Sequence, residues 1–172
     1  MEDLTRSQKA ERSQRILAET LRDTIAAIKG SVAALIIEPI QGEGGDNHFR
    51  PEFFRELRRL ADQHDFLFIA DEVLCGAGRT GTWTAIEQWG VVPDILTLGK
   101  GIAGGYVPVS AVLAREDVVD VIARGSGALM HAQTFSHHAT LCAAGTATIR
   151  YLRRHRLVER SAEMGRVLHA RL

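Results

Sequence analysis

Lysine is nearly absent from this chain: of 21 basic residues only Lys9, Lys29 and Lys100 are lysines. Arginine carries the rest of the positive charge, so a lysine placed among apolar residues calls for a reason. Cysteine is scarcer still. Cys75 and Cys142 form neither a CxxC pair nor a metal-ligand spacing, which excludes a zinc ribbon and a disulfide framework. They read as reduced, semi-buried thiols. There is no excess of either charge, 21 acidic residues matching 21 basic ones, and this excludes a bulk nucleic-acid binder. With 45% hydrophobic residues the chain also lacks the composition of a disordered protein. No long hydrophobic run is present: Val32 to Ile37 covers about a third of the ~20 residues a membrane helix needs. The opening MEDLTRSQKAERSQ lacks the layout of a signal peptide. A cytoplasmic globular chain is expected, with no nucleic-acid or membrane partner. Its 172 residues suit one domain and can bury a core without disulfides.

What is present alternates. Residues 4–29 carry Leu17, Leu21, Ile25 and Ile28 at three- and four-residue spacing, which predicts a helix stopped at Gly30. Val32 to Glu38 is a continuous apolar run, expected as a strand buried on both faces and ended by Pro39. A glycine-rich loop covers residues 40–50. Pro51 is placed as a first helical residue, with Phe54, Leu57 and Leu60 or Ala61 as the apolar stripe. Phe66 to Ala70 predicts a second strand, Thr84 to Trp89 a short helical turn, Ile95 to Leu98 a third strand and Val107 to Ala114 a fourth. Helices are expected over 115–124, 139–154 and from Leu157 onward. Apolar strands alternating with helices predict an α/β fold with a parallel-type sheet. No internal repeat, low-complexity tract or linker interrupts it.

In such sheets ligands gather at the carboxyl ends of the strands. Glu38, with Gln41 and Glu43 beyond it, lies past the first strand; Asp71 and Glu72 close the second; Lys100, between two glycines, closes the third. A lysine desolvated at an apolar strand end becomes a nucleophile suited to a Schiff base, although the same residue can simply snorkel to solvent. Asp71 ends a strand of apolar residues, and a carboxylate there needs a positive partner. Arg79 is the plain candidate; a protonated pyridine nitrogen is the other. A lysine Schiff base together with an acid at the ring nitrogen is how pyridoxal phosphate is held.

Other motifs compete less well. Gly76 to Gly81 matches GxGxxG, but it neither follows the strand directly nor opens a good helix, so a turn is expected rather than a dinucleotide loop. His131, His137 and His138 lack the spaced partners of a metal site, and no metal is expected. Thr134 and Ser136 precede a helix, where hydroxyls and free N–H groups can hold a phosphate. Residues 150–171 hold seven arginines against two glutamates, which read as a solvated or partner-facing helix face.

Taken together these segments resemble the class III aminotransferases, pyridoxal-phosphate enzymes of the aspartate-aminotransferase fold (fold type I). The resemblance rests on Glu38-Pro39-Ile40-Gln41-Gly42-Glu43-Gly44-Gly45, on Phe68-Ile69-Ala70-Asp71-Glu72-Val73 with Gly78-Arg79-Thr80-Gly81, on Pro93-Asp94 running to Gly99-Lys100-Gly101, and on Thr134-Phe135. It implies that Lys100 forms the Schiff base and shuttles the proton, that Asp71 pairs with the pyridine nitrogen and that Val73 packs on the ring face. It further implies that Thr134 reaches the cofactor phosphate of a neighbouring subunit, hence a homodimer, and that Glu43 stands near the substrate entrance. Leu74, where many members carry glutamine, resembles the ω-amino-acid:pyruvate branch. The stretch from Glu38 to Phe54 resembles the lysine 6-aminotransferase and ornithine branches. Ser136-His137-His138-Ala139 replaces the family's usual small-Gly-His-Pro.

The resemblance implies amino transfer from an amine or ω-amino acid donor to a 2-oxo acid acceptor such as pyruvate or 2-oxoglutarate. It also implies that residues 1–150 are part of the cofactor-binding large domain, that 151–172 begin the small domain, and that the phosphate loop and ring-stacking aromatic lie upstream. The chain by itself is then expected to be inactive. The alternative from another class is a non-catalytic fragment acting at most as an interaction remnant. A nucleotide-binding domain through Gly76 to Gly81 is the third.

Overall fold

A computed structural model describes residues 6–27, 32–43, 45 and 47–172. In chain order it holds helix α1 (Arg6–Ala27), strand β1 (Ala34–Ile37), helix α2 (Pro51–His64), strand β2 (Leu67–Asp71), a 3₁₀ turn (Ala85–Trp89), strand β3 (Ile95–Leu98), a second 3₁₀ turn (Lys100–Ala103), strand β4 (Ala111–Ala114), and helices α3 (Glu116–Arg124), α4 (Ala139–Arg154) and α5 (Leu157–His169). The predicted helix stop at Gly30 lies outside the described residues, as does Ile28.

Helix α2 starts where proline chemistry places it. Arg50 is extended, as a residue before proline prefers, and Pro51 takes the first helical position, where the missing N–H costs nothing. Its stripe of Phe53, Phe54, Leu57, Leu60 and Ala61 is buried against Phe66 and Phe68 of the β2 segment and Ile86 of the first 3₁₀ turn. Phe54 stacks on Trp89 with ring centroids 4.4 Å apart. Truncating a phenylalanine packed in this way costs about 3–5 kcal/mol.

The sheet runs β1-β2-β3-β4. β1 and β2 pair in parallel, as do β2 and β3. β3 and β4 pair antiparallel, Leu98 facing Ala111. The sheet is thus mostly parallel, in keeping with the parallel-type sheet expected, with one antiparallel edge strand; that strand is shorter than Val107 to Ala114, because Val107 to Ser110 stays outside the ladder and only Ala111–Ala114 pairs. A correction concerns β1. Its residues alternate between exposed and half-buried, and Ile36 is 60% exposed. The strand lies at the sheet's edge and is not buried on both faces. β4 occupies the opposite edge, with Val112 70% exposed.

One buried ionic node locks the amino-end side of the sheet. Asp94, just before β3, accepts from Arg58 Nη1 at 2.7 Å, from Arg115 Nη1 at 2.9 Å and from the Phe68 backbone N–H at 2.7 Å. A carboxylate this deep is tolerable because it is both paired and hydrogen-bonded. It ties α2, β2 and the start of α3 to β3, so the carboxyl end of β3 is delivered in a defined register.

Candidate active site

The site builds from two neighbouring strand ends. β2 closes on Asp71 and β3 runs to Leu98, with Lys100 two residues beyond it. Asp71 is half-buried, and its Oδ1 accepts two hydrogen bonds, from the Val73 backbone N–H at 3.0 Å and from Thr97 Oγ1 at 3.1 Å. Among the described residues nothing donates to its other oxygen, Oδ2. Arg79, the plain candidate partner, is engaged elsewhere: its Nε donates to the Leu74 carbonyl at 2.9 Å.

Lys100 adopts φ +41°, a left-handed conformation uncommon outside glycine. Such backbone strain concentrates at functional positions. On its N-terminal side Gly99 lies against Val73, where an added methyl would meet Val73 Cγ1 at 3.2 Å. Asp71, Val73 and Lys100 are therefore gathered by the β2–β3 pairing. The expected desolvation of Lys100 is not found: its side chain is 48% exposed, and Nζ stands 4.0 Å from Glu43 Oε1.

Glu43 reaches the lysine from a loop pinned at its neck. Ile40 and His48 form an isolated antiparallel bridge. The Gln41 N–H donates to the Asn47 carbonyl at 3.0 Å, and the Gly42 N–H to Glu38 Oε2, also at 3.0 Å. Cys75 Sγ donates to the Ile40 carbonyl at 3.2 Å, tying that neck to the segment after Asp71. Cys75 is thus a buried thiol, its pKa pushed up by burial, whereas Cys142 is exposed. The two are not alike, as the expectation of two semi-buried thiols had it.

Thr134 is exposed in the turn before α4, and among the described residues no hydrogen bond joins it to Asp71, Val73 or Lys100. Neither Thr134 nor Ser136 caps α4: the N-cap is His138, without a side-chain bond, and Ser136 Oγ accepts from the Gln133 N–H at 3.1 Å. Gly76 to Gly81 forms successive turns, as expected, and leads into a 3₁₀ turn rather than a long helix. Its glycines serve packing: a methyl at Gly78 would meet Val158 Cγ2 at 2.7 Å, and one at Gly81 would meet Ala162 Cβ at 2.7 Å. Helix α5 docks on this loop, and Ser161 Oγ donates to the Arg79 carbonyl at 3.0 Å. One cleft of about 650 Å³ lies beside β1 and includes Leu17, Ile36 and Phe49, and another of about 340 Å³ lies between this loop and α5. Neither is lined by Asp71 or Lys100.

Sequence reasoning missed two partners. Glu72, expected beside Asp71 as a strand-end acid, is fully buried and is taken up by the first 3₁₀ turn. Its oxygens accept the Ala85 and Ile86 N–H groups at 2.9 and 2.8 Å, and burial raises its pKa. Thr97 was read only as part of an apolar strand; its hydroxyl contacts Asp71. The signal was the single polar residue in Ile95–Leu98, which acquires meaning only once strand register is known. No group of histidine, cysteine and carboxylate side chains suited to a metal occurs among the described residues, and no described helix is long and apolar enough to cross a membrane.

The residues fit pyridoxal phosphate on their chemistry: a glycine-flanked amine, a branched aliphatic beside it, and a carboxylate with one oxygen left over. A mostly parallel sheet presenting these groups has the architecture of a pyridoxal-phosphate-dependent transaminase of fold type I. The model of the family "Aminotransferase class-III" matches residues 1–172, and the chain belongs to that family. Ornithine aminotransferase 1 of Staphylococcus aureus (strain N315) is 46% identical over 142 residues, covering 83% of this chain and 35% of the relative. The acetylornithine aminotransferase of Methanosarcina acetivorans is 43% identical over 148 residues, covering 86% and 35%. Among solved structures, a transaminase from ancestral reconstruction superposes with a TM-score of 0.89 at 34% identity, covering 98% of this chain and 38% of its own. A PLP-bound amine transaminase from an uncultivated Pseudomonas species gives 0.86 at 37% identity, covering 92% and 37%. The chain thus spans about a third of the length of the curated relatives it matches.

Proposed function

We propose that the chain carries the lysine-bearing part of a pyridoxal-phosphate site that transfers an amino group from an amine or ω-amino acid to a 2-oxo acid such as pyruvate or 2-oxoglutarate. The observation that carries this reading is the convergence of Asp71, Val73 and Lys100 on two adjacent strand ends. When bound, the cofactor supplies an electron sink conjugated to the substrate carbon that loses its proton. Lys100 would hold the cofactor covalently, and its Nζ would serve as the base that takes and returns that proton. Asp71 offers Oδ2 to the ring nitrogen. Val73 packs against one ring face and limits its tilt. Glu43 stands at the substrate entrance, its carboxylate beside Lys100 until a substrate intervenes. Thr134, exposed before α4, presents its hydroxyl to the cofactor phosphate across a homodimer interface.

The relatives named for ornithine and acetylornithine support an ω-amino donor, and Leu74 keeps that part of the pocket aliphatic. Residues 1–150 belong in this reading to the cofactor-binding domain and 151–172 begin the next; the protein works in the cytoplasm. A second reading, a non-catalytic remnant, draws on one observation: Lys100 is half exposed, without the enclosure its chemistry asks for.

The test is transfer of label. The chain, combined with the remaining portion of a class III relative and pyridoxal phosphate, receives a ¹⁵N-labelled amine or ornithine together with pyruvate or 2-oxoglutarate. Label should appear in alanine or glutamate with wild type and not with Lys100→Ala. Equal transfer by the Lys100→Ala variant would overturn the assignment.

A further inference from the structure

We propose that Thr97 is a positioning residue of the cofactor site, orienting the Asp71 carboxylate so that one of its oxygens is kept for the pyridine nitrogen. The proposal rests on the reading that Asp71 meets that nitrogen.

Asp71 and Thr97 are register partners in the parallel β2–β3 ladder. Partners in adjacent strands project to the same face of the sheet, so the pairing itself sets the hydroxyl beside the carboxylate. Thr97 Oγ1 donates to Asp71 Oδ1 at 3.1 Å, and the Val73 N–H donates to the same oxygen at 3.0 Å. The backbone of Thr97 is fixed independently, since its carbonyl accepts the Glu72 N–H at 3.0 Å. A β-branched side chain has little χ1 freedom, so a held backbone also holds the hydroxyl.

Two donors on one oxygen define the carboxylate's orientation. Rotation of the carboxylate plane away from this orientation breaks both bonds, and the orientation they hold leaves the other oxygen as the free acceptor. The Val73 bond alone pins the oxygen from one direction; the Thr97 bond adds the second and fixes the plane. Charge-assisted hydrogen bonds depend on such alignment. Thr97 is also the only polar residue of β3, where a valine of the same shape would suit the strand equally well.

The experiment compares two ligands on the 172-residue chain: pyridoxal phosphate and its 1-deaza analogue, in which the ring nitrogen is replaced by C–H. Both keep the aldehyde and phosphate, so a merely structural loss weakens both alike and leaves the ratio of their dissociation constants unchanged. Wild type should prefer pyridoxal phosphate. Thr97→Val should narrow the preference about tenfold, the scale of one hydrogen bond to a charged group, and Thr97→Ser should restore it to within about twofold by returning the hydroxyl. Should the valine variant fail to fold, Thr97→Ala against Thr97→Ser makes the same comparison. A preference that survives Thr97→Val or Thr97→Ala but is lost in Asp71→Asn would overturn the role of Thr97 and leave that of Asp71 standing. A wild-type chain that binds both ligands equally would overturn the reading of Asp71 and the proposal with it.

Discussion

At the scale of single residues, the two adjacent acids Asp71 and Glu72 do different work because they meet different donors: Asp71 takes Val73 and Thr97, Glu72 the turn at Ala85 and Ile86. Glu72 is a structural acceptor. Glu72→Ala would strand the Ala85 and Ile86 N–H groups in the interior, and a loss of about 2–4 kcal/mol in denaturant unfolding is expected from two unsatisfied buried donors. Its folded pKa is raised above the ordinary 4.5, chiefly by desolvation. The folded state therefore holds the proton longer than the unfolded chain. Wild type should accordingly lose stability relative to Glu72→Gln as pH rises from 4.5 through the raised value. A pH-independent difference between the two would show that the carboxylate is ionised at no cost. Lys100 and Asp71 were legible in the sequence because each is a charged residue ending an apolar run, and Lys100 is flanked by glycines. Thr97 and the partners of Glu72 were not, because their roles depend on register and on a turn that closes more than ten residues downstream.

At the scale of elements, α1 is fastened to α2 by charge as well as by Leu21 and Ile25, which pack on the core. Arg22 Nη2 lies 2.7 Å from Glu56 Oε1, and Arg59 Nε lies 2.8 Å from Glu56 Oε2. The hydrogen bond from Arg59 is the largest influence on Glu56; burial opposes it, and the weaker bond from Arg22 helps to bring the pKa down to about 2. A depressed folded pKa contributes stability that is present above pH 4.5 and lost as pH falls toward 2. Amide exchange in α1 should therefore accelerate over that window in wild type and much less in Glu56→Gln. Identical acid profiles would place the hold on α1 in its apolar contacts alone. Most elements were legible from apolar spacing and from Pro51. The direction of β4 was not: Val107 to Ala114 reads the same for a parallel or an antiparallel strand, and the stretch from Gly99 to Ser110 is long enough for either return. Nor was the exposure of Ile36, because an apolar run carries no sign of whether a neighbour covers it.

At the scale of the whole molecule, the sheet has two open edges, with Ile36 on one and Val112 and Leu113 on the other, all more than half exposed. Open apolar edges template further pairing, so the chain should associate in analytical ultracentrifugation, and Ile36→Lys together with Val112→Lys should shift it toward monomer. A wild-type monomer at high concentration would contradict this. In the proposed reading Lys100 and Asp71 hold the cofactor at only two points, and misplacement by about 1 Å can cost roughly 10²-fold. Residues 1–172 alone, assayed with pyridoxal phosphate, several amines, pyruvate and 2-oxoglutarate, should stay well below about 1 s⁻¹, the lower end of enzymatic turnover. The central claim is that Lys100 is the cofactor's covalent anchor, and the most direct measurement is reductive trapping: the chain is mixed with pyridoxal phosphate, reduced with borohydride and digested for peptide mapping. The adduct should sit on the Lys100 peptide and vanish in Lys100→Ala; label on Lys9 or Lys29 in its place would contradict the account.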